Sequence, residues 1–184
     1  MQDILAIDLA TTTGFARGRV GDPAPTFGTI KFYGGATHDG NSVFAAALRW
    51  MIEVVGDNPP DMVMIESLLP PAAMLNQTSR QVRDRLAGLH GVIRGAARRM
   101  GIGEISDVGV GEVRKHFIGT RTLQRADAKK AVIDQCHALD WQVKNDNEAD
   151  ACAIWSFAVS LIDPKQALRV SPLFNKKLRV VAWP

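Results

Sequence analysis

Cysteine is almost absent. The 184 residues contain two, Cys136 and Cys152, at a spacing that suits neither a disulfide framework nor a zinc site. That argues against a disulfide-stapled secreted scaffold and fits a reducing compartment, so both thiols read as small core residues. Long apolar runs are missing as well. The longest, ACAIWSFAVSLI at 151–162, falls short of the roughly 20 residues a bilayer-spanning helix needs and reads as a buried helix. The opening MQDILAID carries an acid at position 3 and no basic-then-apolar stretch ending in small residues, so it does not read as a secretory signal. A cytoplasmic location without membrane attachment is the expectation. His38, His90, His116 and His137 stand at no metal-ligand spacing and are given no role. Trp50, Trp141, Trp155 and Trp183 read as core or edge residues rather than base-stacking platforms. There is no internal repeat and no low-complexity tract.

What is present fits a globular chain: 46% hydrophobic and 22% charged residues, in a length that suits one domain. The net charge of +3 hides an asymmetry. Residues 1–79 hold four Lys/Arg against eight Asp/Glu, whereas residues 80–184 hold eighteen against eleven. A basic half suits a polyanionic partner, because neutralising phosphates releases condensed counterions. Taken singly, each arginine is also accounted for as a solvated helix surface.

Segments 3–9, 14–20 and 26–33 read as short strands separated by the turn-rich ATTT and GDPAP, spaced closely enough to imply an antiparallel meander. From 42 to 55, Val43, Ala47, Met51 and Val54 recur at helical spacing until DNPP ends the helix. DMVMIES at 61–67 is a nearly all-apolar strand, reached by a crossover and so expected to run parallel to the first. After the loop LLPPAAMLNQTSR, a helix to about residue 100 carries Val82, Leu86, Leu89, Ile93, Ala97 and Met100 in one stripe. Arg83, Arg85, Arg94, Arg98 and Arg99 occupy its other faces. A strand over 103–108, a short helix over 111–117, the polar loop GTRTLQRAD and a helix over 126–139 follow. NDNEAD opens the last helix, with Asn145 and Glu148 spaced as in a capping box. The order gives an α/β fold with a five-stranded mixed sheet flanked by helices. Residues 1–163 are expected as the domain, and 164–184 as an irregular basic tail with Lys165, Arg169, Lys176, Lys177 and Arg179.

ILAIDLATTTGFA at 4–16 places Asp8 on what otherwise reads as a buried strand. Glu66 ends another strand, and Asp150 stands on a helix made of Ala149, Ala151, Cys152, Ala153, Ile154 and Phe157. If the two strands are neighbours, the carboxylates meet at the centre of the sheet. Gathering three acids away from water is costly unless a cation neutralises them, and magnesium or manganese suits an all-oxygen set. Two such ions roughly 4 Å apart would orient a water for in-line attack on a phosphodiester. Singly, each acid has a plainer reading: a buried ion pair for Asp8, an ordinary strand end for Glu66, and a first-turn helix acid for Asp146.

With ILAIDLATTTGFA, MVMIES at 62–67, VRKHFIGTRTLQRADAKKAV at 113–132 and NDNEADACAIW at 145–155, the chain resembles the RuvC Holliday-junction resolvases of the ribonuclease H-like fold, particularly the short forms of phages and prophages. The resemblance covers nearly all of residues 3–162. It implies a homodimeric endonuclease, dependent on Mg2+ with Mn2+ able to substitute, that makes paired nicks across a four-way DNA junction. It implies Asp8, Glu66 and Asp150 as metal ligands and catalytic acids. Where the family commonly has an aspartate or histidine three residues before the final aspartate, this chain has Asn147, so either Asn147 is a neutral ligand or Asp146 supplies the fourth carboxylate. Arg114 and Lys129 fall where family members place DNA-contacting basic side chains, with Lys115 and Lys130 beside them. Some relatives carry an aromatic wedge after the strand-end glutamate. Here Leu68, Leu69 and two prolines stand instead, so Leu69 is expected to press on the junction by shape without base stacking. The long arginine-bearing helix is the expected dimer surface.

Three rivals stand beside this reading. DLATTTG also looks like the first phosphate loop of actin- and hexokinase-like ATPases. Yet the chain has length for one lobe only, and Ala10 stands where such loops usually have glycine, so no nucleotide cofactor is expected. The same fold could serve a nuclease acting on other branched DNA or on ribosomal RNA precursor. Asn147 also leaves room for a catalytically impaired junction-binding protein.

Overall fold

The computed structural model describes residues 1–32, 40–68 and 79–170. Its centre is β1 (Asp3–Asp8), where Ile4, Leu5, Ala6 and Ile7 are all fully buried. A strand can bury consecutive residues only if both faces of its sheet are covered. Even-numbered Ile4 and Ala6 pack with Met62, Met64 and Ala16 in one core, while odd-numbered Leu5 and Ile7 pack with Val63 and Ile65 in another.

β2 (Thr12–Arg19) and β3 (Thr26–Lys31) continue antiparallel from β1, while β4 (Met62–Glu66) and β5 (Glu104–Val108) add parallel strands, in the order β3-β2-β1-β4-β5. This is the five-stranded mixed sheet expected. α1 (Gly40–Val55) and α2 (Arg80–Arg99) cover the odd face through Val43, Ala47, Met51, Leu89, Ile93 and Ala97. α3 (Val110–Ile118), α4 (Arg125–Ala138) and α5 (Asp146–Ile162) cover the even face. Cys136 and Cys152 are both buried there, and Trp50, Trp141 and Trp155 are buried as expected of core residues. Trp183 lies outside the described residues. Among those residues no helix is long and apolar enough to cross a membrane.

Two expectations need correction. Val82 does not join the buried stripe of α2 but is 43% exposed, so the contact that buries Leu89, Ile93 and Ala97 does not extend to the first turn. Residues 164–170 are not irregular: they form α6 (Pro164–Val170). Asp163 caps them, accepting from the Lys165 N–H at 3.1 Å and the Gln166 side-chain amide at 3.1 Å, and Pro164 fits the first helical position because its missing N–H is not needed there. Val170 at the far end is buried, and its carbonyl accepts from Gln135 on α4.

α5 reaches the sheet because β2 offers it almost no side chains. Gly14, Ala16 and Gly18 face it, and Trp155 donates its indole N–H to the Gly18 carbonyl at 3.1 Å. A Cβ placed on Gly14 would lie 1.9 Å from the Asn147 carbonyl oxygen. The start of α5 is pinned from the edge: the Asn145 side chain accepts from the Glu148 N–H at 3.0 Å, Glu148 accepts from the Lys144 N–H at 2.8 Å, and Thr29 of β3 donates to Asn145 at 3.1 Å. The capping box is therefore present with its return bond one residue early, and the buried Glu148 is satisfied.

Gly14→Ala must push the first turn of α5 off β2, because the atom in the way is backbone. It should cost at least about 2–3 kcal/mol, the upper range for overpacking. Urea unfolding of the variant against the wild type measures this.

Candidate active site

Asp8 ends β1 and Glu66 ends β4, each one residue beyond the paired Ile7 and Ile65. Alternation puts both on the even face, beneath α5. Gly14 lies directly across from Asp8, so the Asn147 backbone that rests on Gly14 overhangs the same spot. Asp150 follows one turn along α5, on the face it shares with Asp146. Two parallel strand ends and one helix thus bring together acids far apart in sequence.

Their ionisation reports the crowding. Withdrawal from water, then the charges of Glu66, Asp150 and Asp146, holds the Asp8 carboxyl well above the usual range, with Lys129 opposing. Glu66 is pushed up to about 7 by desolvation and Asp150, against Arg114. Asp150 rises to about 6, chiefly by desolvation, with Arg114, Lys129 and Arg125 opposing and Asp146 adding to the rise. Asp146 goes the other way. Lys129 donates to its carboxylate and lowers it.

The basic residues divide. Arg114 reaches the pocket electrostatically, and its Nε is buried without a hydrogen-bond partner. Lys129 pairs with Asp146. Lys130 pairs instead with Asp134 at 2.6 Å on an exposed face of α4, and Lys115 is exposed on α3. Leu69 lies outside the described residues, and Leu68 is exposed. The reading of the sequence missed Arg125, which acts on Asp150. Its signal was available: Arg125 stands four residues before Lys129, hence on the same side of α4.

The turn ATTT is closed by one of its own side chains. Thr13 is fully buried, its hydroxyl donating to the Ala10 carbonyl at 2.6 Å and accepting from the Ala10 N–H at 3.1 Å. His38 lies outside the described residues, and His137 donates to the Val143 carbonyl at 3.0 Å. His116 shares a 3.0 Å hydrogen bond with Ser156 and meets Phe157 edge-on, and burial drops its pKa to about 4.

Solved structures share this architecture. The RuvC structure from Thermus thermophilus matches 87% of this chain and 95% of its own, at 16% identity and a TM-score of 0.64. T. thermophilus RuvC in complex with Holliday junction substrate matches 88% and 96%, at 15% identity and 0.67. The yeast mitochondrial Holliday junction resolvase matches 97% and 84%, at 10% identity and 0.57. The fold is that of RuvC. No family model matches the chain, and no curated protein matches it by sequence.

In this RuvC fold the donor chemistry suits a hard divalent cation: three carboxylates, no thiol or imidazole, in a partly dehydrated pocket. The side chains interact through charge without being gathered into one coordination shell. Among the described residues no group of three or more His, Cys, Asp or Glu is arranged to hold a metal ion.

The acids also set a pH dependence. With native values raised above the unfolded ones, the folded chain holds more protons between about pH 4 and 7, so these groups lose stability as pH rises through that window. His116 opposes this below its ordinary 6.5, where the unfolded state takes up a proton that the native state does not. Asp8→Asn should therefore raise the Tm of EDTA-treated protein at pH 8, with the gain shrinking towards pH 5. Thermal melts across that range check it.

Proposed function

We propose that this chain is a divalent-metal-dependent, structure-selective endonuclease that acts as a symmetric dimer on four-way DNA junctions. The observation that carries the reading is the convergence of Asp8, Glu66 and Asp150 into one mutually repelling pocket at adjacent strand ends. Likeness in fold to T. thermophilus RuvC, in one structure bound to Holliday junction substrate, supports the choice of substrate.

Asp8, Glu66 and Asp150 would hold the cations, with Asn147 or Asp146 as the further candidate for the shell. Magnesium or manganese bound there would supply an activated water and neutralise charge at the scissile phosphate. The chain's own residues do the rest. Arg114, Lys129 and Arg125 bring positive charge to the pocket and can meet phosphate oxygens, while Lys115, Lys130 and Leu69 are proposed to contact the flanking arms. Paired nicks need two sites related by symmetry, which an isologous dimer provides. We place its contact on α2 and the adjoining α1, where Val82, Leu48 and Ile52 leave apolar surface exposed.

A second reading, junction binding without cleavage, is favoured by Asn147 and by acids not gathered into a shell. One assay separates the two. The protein is mixed with a synthetic four-armed junction, a fork and a linear duplex, with and without Mg2+ or Mn2+. Cation-dependent cutting of the junction supports the nuclease. Binding without cleavage in either cation, with protein in excess, establishes the alternative.

Asp8→Asn should lower cleavage by about 10³-fold or more while leaving junction affinity intact or improved. Retained cutting removes Asp8 from the mechanism. Gel-shift affinity should fall roughly 10³-fold between about 50 and 200 mM salt if six or more phosphates are engaged.

A further inference from the structure

Resting on that reading, we infer that Asp146 is not a metal ligand but a positioning residue, which holds the Lys129 ammonium at the edge of the acid pocket and leaves Asp8, Glu66 and Asp150 as the carboxylate ligands. The ion pair itself is the first ground. Lys129 Nζ donates to Asp146 Oδ2, joining α4 to the first turn of α5. The two side chains are 36% and 32% exposed, so the pair sits at the boundary between pocket and solvent, where an incoming phosphate would pass.

The second ground is what the Asp146 oxygens already do. Besides Lys129, they are reached by the backbone N–H groups of Asp146 and Asn147 at the helix start. A carboxylate committed to an ammonium and to helix-start donors has little lone-pair capacity left, and a divalent ion beside it would be set against the ammonium. What acts on Asp8, Glu66 and Asp150 is burial and neighbouring charge.

The third ground is geometric. Asp146 and Asp150 are four residues apart on α5, so a cation gripped by Asp146 is held on the face that presents Asp150. The reach of Lys129 to both Asp8 and Asp150 agrees with that placement. Without Asp146, a four-carbon side chain on a half-exposed helix face would be free to swing into solvent.

The test uses the full chain, stripped of metal, with Mn2+ as the probe. Binding is followed by electron paramagnetic resonance, and single-turnover junction cleavage is followed separately. Asparagine is a good residue near a helix start, so Asp146→Asn should fold. It should keep Mn2+ affinity within about fivefold of wild type, the size of a screened charge effect. Asp150→Asn should lose about 100-fold. In cleavage, Asp146→Asn and Lys129→Met should each be slow, and the double variant no slower than Lys129→Met, because the two residues act as one unit. Loss of Mn2+ affinity in Asp146→Asn as large as in Asp150→Asn overturns the proposal, as do additive losses in the double variant. Wild-type protein that binds no Mn2+ and cuts no junction gives a different pattern, and it overturns the nuclease reading and this inference together.

Discussion

Everything in the site depends on how near one helix can come to one strand. α5 carries Asp150 and the Asn147 backbone, while β1 carries Asp8 one strand away from Gly14. Side chains of ordinary size on β2 would hold the helix several ångströms further out. Gly14, Ala16 and Gly18 on one side, and Ala151 on the helix face shared by Asn147 and Trp155, remove that spacing. These small residues therefore serve packing and chemistry at once: interiors are close-packed, so a helix laid directly on backbone has its position fixed to a fraction of an ångström.

The sheet topology then decides which end of β1 is used. β1 has an antiparallel neighbour on one side and a parallel one on the other. Only on the parallel side do two strands end together, and there Asp8 and Glu66 emerge side by side. On the antiparallel side the chain simply turns back through ATTT, sealed by its own Thr13 hydroxyl. A pocket outside the carboxyl ends of parallel strands is where open α/β sheets place ligands, because the covering helices leave a crevice there. Here the crevice is lined by acids from beneath and by Arg114, Arg125 and Lys129 from α3 and α4.

Nearly all-apolar runs and a strand-end acid made the strand positions of Asp8 and Glu66 legible from residues alone, and small apolar neighbours did the same for the place of Asp150 on a packed helix. The parallel pairing of β4 followed from the crossover. Other features were written in the sequence but in signals that compete poorly. Asp163-Pro164-Lys165-Gln166 is a helix start, yet the basic composition that follows outweighed it and α6 was read as irregular. Arg125 shares a helix side with Lys129, but a charge at the boundary of a loop says little until the helix is placed. Val82 fits the stripe of α2 by spacing, and spacing cannot tell where the neighbouring surface ends. Least legible was the division of labour among basic residues. Whether Lys129 or Lys130 faces the acids depends on the rotation of α4 about its axis, and its apolar positions are spread too evenly to fix that rotation.

A pocket of like charges pushes its walls apart, and α5, which carries Asp150, is one of those walls. Its anchors lie away from the acids. Thr29 holds the helix start to β3, Trp155 ties the middle of α5 to Gly18, and Trp141, just before α5, donates its indole N–H to the Pro23 carbonyl at 3.1 Å. Trp141 also packs edge-on against Trp155, so the anchors brace one another. Repulsion among Asp8, Glu66 and Asp150 therefore acts on a helix already fixed on the opposite side. It adds to burial in raising the proton affinity of these acids. The acids stand within reach of one another's charge because the core, not the site, holds them there.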